Sequence, residues 1–148
     1  MNPLLRQQQT ITLRLAMQAL DAAVSFAEQA GVRVSVAILD ASGQPINSAH
    51  MDGAPRPCQA IAMNKALTAA GFGVSTQVWE ERLQKCSAAV REGLPLQPNL
   101  ALFGGGEPFL LDGQVIGAIG VSGASETLDA GCAKAAVDKV RELLDNAR

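Results

Sequence analysis

Between Thr12 and Gly31 the apolar positions Leu13, Met17, Leu20, Val24 and Ala27 recur at alternating steps of four and three, which predicts an amphipathic helix with that stripe facing the core. Gly31 supplies the left-handed residue that commonly ends such a helix. Val32 to Leu39 is rich in β-branched residues, with Val32, Val34, Val36 and Ile38 on one face, and Asp40-Ala41-Ser42-Gly43 turns the chain into a second strand that runs to Met51. The pair reads as a hairpin. Within its second strand Ile46, Ser48 and His50 share one face while Asn47, Ala49 and Met51 share the other, so His50 and Met51 point apart. Asp52 to Pro57 is a loop, and Pro57 suits the first position of a helix to about Ala70 that Gly71 and Gly73 end. Ser75 is placed to cap a third helix in which Trp79, Leu83, Cys86 and Val90 keep four-three-four spacing, before Gly93, Pro95 and Pro98 break the chain.

The last third has a different texture. Eight of the fourteen glycines fall between Gly104 and Gly131, which concentrates bends and close backbone approaches in one otherwise apolar segment. Asp112-Gly113 separates two apolar runs and is a strong type I′ hairpin signal, because both central residues of that turn need positive φ. Ser122 to Ser125 then offers a turn and an N-cap, and Glu126 and Asp129 put negative charge on the first turn of a helix from about Ser125 to Asn146. The order is helix, two strands, two helices, about three strands and one helix, joined mostly by hairpins. That order predicts an α+β fold, an antiparallel sheet with helices packed against it.

Length and composition narrow the function classes. A chain of 148 residues is one domain, here spanning 1–148, and 48% hydrophobic with 18% charged residues argues for a filled core. A net charge of -2, with four Phe, one Trp and no Tyr, gives no footprint for nucleic acid. No segment approaches the roughly 20 apolar residues of a membrane helix, and Met1 to Gln9 lacks a signal-peptide core, so a cytoplasmic protein is expected. Cys58, Cys86 and Cys132 are odd in number and widely spaced, which fits neither a disulfide framework nor a zinc or redox motif. They are expected to be reduced and buried.

Motifs exclude more than they assign. His50 is the one histidine, no Gly-x-Ser-x-Gly elbow accompanies it, and no cluster of metal ligands is visible, so serine hydrolysis and a zinc site are disfavoured. Gly104-Gly105-Gly106 lacks the lysine and hydroxyl of a phosphate loop, and Gly117, Gly120 and Gly123 lack dinucleotide-fingerprint spacing. The glycines are read as serving strand bends and close packing, with room left for a flat ligand against backbone. Glu107 reads as a solvated loop carboxylate. On the second helix Asn64, Lys65 and Thr68 form a polar patch in an otherwise Ala, Ile, Met and Leu helix, which asks for something specific to meet them. Arg56, beside the helix N-terminus, could hold a carboxylate together with free backbone N–H groups.

Two blocks carry a family resemblance. Gly117-Ala118-Ile119-Gly120-Val121-Ser122-Gly123-Ala124 with Glu126, Asp129, Cys132 and Ala133 resembles the C-terminal signature of the GlcG/HbpS-like haem-binding family, which includes the C-terminal domain of PduO-type proteins. His50-Met51-Asp52-Gly53-Ala54, followed by Asn64-Lys65-Ala66-Leu67-Thr68-Ala69-Ala70, is similar to a second element of that family, except that arginine is usual where His50 stands. The resemblance implies a profilin-like sheet of about five strands, a homo-oligomer and haem as ligand. The low charge of the alanine-rich second helix points to an oligomer as well. Ligand-binding candidates are His50, Met51, Asp52, Arg56, Asn64, Lys65, Thr68 and Glu107; no catalytic residue and no metal site are assigned, and Asp129 and Cys132 are read as structural. Haem binding or handling is the first reading of function. The alternative is an isomerase, hydratase or lyase on a small molecule, with Asp52, Lys65 or Glu107 moving protons. His50 is expected to line the pocket rather than ligate iron, and the resemblance makes Lys65 to Thr68 the natural segment for ligation.

Overall fold

The computed structural model describes residues 2–147. Helix α1 spans Leu13–Ala30, and strands β1 (Ser35–Asp40) and β2 (Pro45–His50) follow as an antiparallel hairpin. Helix α2 spans Cys58–Phe72; α3 (Trp79–Gln84) and α4 (Ala88–Gly93) are short, each with a 3-10 turn beside it; β3 (Gly106–Leu111) and β4 (Gln114–Ser122) form a second hairpin, and α5 (Glu126–Asn146) closes the chain. The sheet has four strands in the order β2-β1-β4-β3, every neighbouring pair antiparallel. The expected α+β class and hairpin connectivity are present, but among the described residues the expected fifth strand is not. The stretch before β3 that would have supplied it folds as short helices and turns, because Pro95 and Pro98 interrupt any ladder there.

The sheet is covered on both faces. Helices α1 and α5 pack together on one face over Val36, Ile38, Phe109, Ile119 and Val121, and α2 lies on the other over Ala37 and Leu39. β1 and β4, central and covered twice, are therefore apolar or small at almost every position. Among the described residues no helix is long and apolar enough to cross a membrane.

Helix α1 forms where the sequence predicts, capped by the Thr12 side chain accepting from Leu15 N and ended by Gly31 at φ 71°. Its buried stripe overlaps the predicted one only in part, at Ala27 and partly at Leu20. Ala16, Ala19, Ala23 and Ala27 face the core, while Leu13 and Met17 are more than half exposed. Small residues win because α5 presents its own alanines, Ala133 and Ala136, so the two helices approach closely and gain contacts that a leucine pair would hold apart. The third helix is also not continuous: Ser75 caps only a 3-10 turn at Thr76–Val78, and the four-three-four stripe is split between α3 and α4.

Asp112 (φ 50°) and Gly113 (φ 79°) make the predicted tight turn between β3 and β4. Two glycines further on have a separate use. Gly106 and Gly120 face each other across the β3–β4 ladder, and a Cβ on either would run into the backbone of α2, at the Lys65 carbonyl and at Ala62 and Ala66 respectively. Their absent side chains let α2 rest on the sheet main chain. Both sheet edges carry a proline, Pro45 opening β2 and Pro108 within β3, and each edge strand has a register irregularity against its neighbour. Proline is tolerated at such an edge because the missing N–H faces away from the ladder.

Candidate functional site

β2 ends at His50 on the rim of two grooves. One, of about 200 Å³, lies between β2 and α2 and is lined by Ser35, Ser48, His50, Gln59 and Met63 with the backbone around them. The other, of about 380 Å³, opens toward α1 and includes Glu28, Arg33, Met51 and Asp52. Alternation holds at the end of β2, where His50 reaches the α2 side whereas Met51 packs against the α1–α5 core and its sulfur accepts from Val34 N at 3.4 Å, but not at Ile46, which the register shift turns onto the same core as Met51. The His50 Nε2 sits 3.1 Å from the Ala54 carbonyl oxygen, which ties the ring to the loop that follows.

His50, Met51, Asp52 and Arg56 thus stay together around the β2–α2 loop. Arg56 is exposed, but the backbone donors expected beside it are partly engaged, since Cys58 N bonds to Pro55 O and Gln59 N to Arg56 O in the turn leading into α2. The anion cradle of free N–H groups is not formed there as the sequence suggested.

The polar patch expected on α2 turns inward instead. Lys65, 1% exposed, donates to Asp129 Oδ2 at 3.2 Å and to the Val121 carbonyl at 2.8 Å, with the Phe103 ring 4.9 Å away as a third neighbour. Asp129 is 3% exposed and its other oxygen accepts from Ala124 N at 2.9 Å. Burial pulls the Lys65 ammonium below the usual lysine value against the opposing attraction of Asp129, and burial likewise pushes the Asp129 carboxyl up. Thr68 is buried too, donating to Asn64 O at 2.7 Å and accepting from Ala101 N at 3.0 Å, and Asn64 itself is half-buried. What Lys65 and Thr68 meet is the chain itself. Gly105 makes the lysine's position possible, since a Cβ there would stand 2.7 Å from Nζ.

Glu107 lies on β3, at the sheet edge opposite β2, so about 14 Å of sheet separates it from His50 at ~4.8 Å per strand spacing. It is half-buried rather than solvated; burial raises its pKa, with the Ser75 hydroxyl and Lys134 favouring the ionised form. Ionised Glu107 therefore weakens the fold as pH rises from the ordinary carboxyl value of 4.5 through its higher folded value. Glu107→Gln is expected to melt higher than the parent at pH 7 and to lose that advantage near pH 4; a gap of the same size at both values would show that Glu107 titrates normally.

Cys58, Cys86 and Cys132 are free, but only Cys132 is buried, the other two being half-buried. Burial and the Asp129 charge push the Cys132 thiol up to about 11, which leaves it inert at neutral pH. Among the described residues no three His, Cys, Asp or Glu side chains stand close enough to hold a metal ion. The Lys65–Asp129 pair was missed in the sequence because Asp129 has a sufficient local explanation at a helix start; the signal available was a lysine in an otherwise uncharged helix.

Comparison with known proteins gives a consistent neighbourhood. A family model described as haem degrading protein HbpS-like matches residues 11–138. An uncharacterized 15.0 kDa protein of Citrobacter freundii, from the dhaT-dhaS intergenic region, is 33% identical over 138 residues, which cover 93% of this chain and 97% of that one. The crystal structure of the Klebsiella pneumoniae protein ORFY superimposes with a TM-score of 0.87 at 33% identity, covering 95% of this chain and 97% of its own. That of a PduOC:haem complex does so with a TM-score of 0.80 at 31% identity, covering 88% and 94%.

Proposed function

Because the chain belongs to the HbpS-like family, we propose that it binds haem, in the groove between β2 and α2, as a cytoplasmic haem-handling accessory protein. The PduOC:haem neighbour supports the ligand. The observation that carries the location is the lining: the Met63 thioether, a common partner of haem iron, shares this groove with the His50 ring, which can pack against a macrocycle. Lys65 and Thr68 do not fit as iron ligands, since each would first have to leave buried partners. Bound haem would supply a redox-active iron and a Soret chromophore. Arg56, exposed in the loop before α2, is a cation available for a propionate.

Size sets the mode of binding. The groove's 200 Å³ is below the roughly 300 Å³ at which pockets begin to enclose drug-sized molecules, so the ligand would lie on an open face rather than in a sealed cavity. Open seating suits transfer better than permanent retention. With Nε2 engaged by Ala54, His50 is assigned to the rim, contacting the macrocycle without ligating its iron. Three unpaired thiols fit the reducing cytoplasm.

The acid–base alternative has less behind it. Asp52 follows one edge strand, Glu107 sits on the other, and Lys65 is sealed between them in an ion pair, so no two of the three converge on a substrate-sized space.

Haem titration of the parent, His50→Ala and Met63→Leu tests the reading. The expected result is a Soret band in the parent, weakened in both variants, with its position unchanged in His50→Ala. A large blue shift in His50→Ala would make His50 the ligand. No uptake by the parent would remove haem from the function altogether.

A further inference from the structure

A further groove, larger than the one between β2 and α2 and built from different elements, opens where the chain enters the fold. Ile11, Leu15, Leu111, Ile116, Leu143 and Leu144 line about 350 Å³ at the start of α1, the β3–β4 hairpin and the last turns of α5. The segment leading into it, residues 2–9, is exposed throughout, and its two leucines stand bare, Leu4 at 89% and Leu5 at 67%. The segment is held near its end, where Ile11 N bonds to Ile116 O at 3.0 Å, Thr10 Oγ1 accepts from Ala41 N at 2.9 Å and Gln8 Nε2 donates to Ala41 O at 3.4 Å. Eight extended residues reach up to about 29 Å, enough to leave the parent molecule and lie on a neighbour. An apolar pair with no partner and an apolar groove with no filling occur within one chain.

Charge matches as well as shape. Arg6 follows the leucines directly, while Glu142 and Asp145, both exposed, flank Leu143 and Leu144 on the last turns of α5. Glu142 already pairs with Lys139 at 3.7 Å, and among the described residues the last turn of α5 carries no basic side chain, so an arriving arginine meets Asp145 and the helix C-terminus together.

We propose that residues 2–9 are a docking arm for a second copy of this chain, Leu4 and Leu5 filling the partner's groove between α1, β3–β4 and α5 while Arg6 meets its Asp145. Exchange is reciprocal in a closed dimer, each copy giving one arm and receiving one, which leaves no unfilled groove to propagate a fibre. The exposed Leu13 and Met17 of α1 lie beside the groove's lining residues Thr12, Arg14 and Gln18 and extend the same apolar surface. Neither His50 nor α2 takes part, so haem uptake and arm exchange are separable.

Crosslinking decides it. In a background with Cys58→Ser and Cys86→Ser, Leu5→Cys and Leu144→Cys are placed on separate chains, one carrying a mass tag, mixed at micromolar concentration and mildly oxidised. The expected product is a disulfide-linked heterodimer of tagged and untagged chains, absent when either cysteine is omitted. Deletion of residues 2–8 should lower the mass seen by light scattering or raise the dimer dissociation constant at least about tenfold, with the haem titration unchanged. No crosslink between chains, or a crosslink only within one chain when both cysteines are on it, would overturn the proposal, as would an unaltered assembly after the deletion. A small-molecule role for the groove would appear as an arm deletion that leaves mass unchanged.

Discussion

Lys65→Met is expected to lower the free energy of unfolding by about 3–5 kcal/mol, because it leaves the Asp129 carboxylate buried without its cation. For a domain of this size that is roughly a 10 °C drop in melting temperature. Val121 O loses its donor in the same step, although it faces only a neutral carbonyl's penalty. The pair as a whole is a different matter from either member: replacing a buried ion pair by apolar groups of similar volume is often neutral. The double variant Lys65→Met with Asp129→Asn keeps an acceptor for Ala124 N and removes both charges, and should regain most of the loss. Thermal and denaturant unfolding of parent, singles and double close the cycle. Additive losses would mean that the two groups do not interact.

Gly120→Ala is the second large effect. A methyl at this position would overlap the Ala62 carbonyl and the Ala66 nitrogen, both main chain of α2, so no side chain can turn away to make room. Overpacking of a yielding core costs about 1–3 kcal/mol; with backbone on both sides the loss should lie at the top of that range or above it. Gly71→Ala is the control. Gly71 lies within α2 with nothing near its missing Cβ, so alanine there should stabilise by about 0.5–1 kcal/mol through helix propensity alone. Chemical denaturation of the two variants would show opposite signs; a mild or absent effect at Gly120 would mean that α2 can shift outward without penalty.

What was legible in the sequence was whatever neighbours decide. The Asp112-Gly113 turn, the Ser125 cap and the β1–β2 hairpin follow from residues within a few positions of one another. The stripe of α1 did not, because alanine is silent in a periodicity count: Ala16, Ala19 and Ala23 become the inner face only once α5 is present with alanines of its own. The site divided along the same line. His50 to Arg56 stay together since they are consecutive, whereas the fate of Lys65 depended on Asp129, 64 positions away. The glycines were rightly read as close approach, but what approaches at Gly105, Gly106 and Gly120 is α2 and its lysine rather than a flat ligand.

The prolines at the sheet edges reach beyond this one fold. A four-stranded sheet offers two rows of unused backbone groups, and β2 and β3 interrupt theirs with Pro45, Pro108 and irregular register. Main-chain hydrogen bonding is thereby a poor route for one molecule to recruit the next, in crowded solution or during expression at high level. Self-recognition is left to side chains, which can be selective about number and orientation where a bare strand cannot.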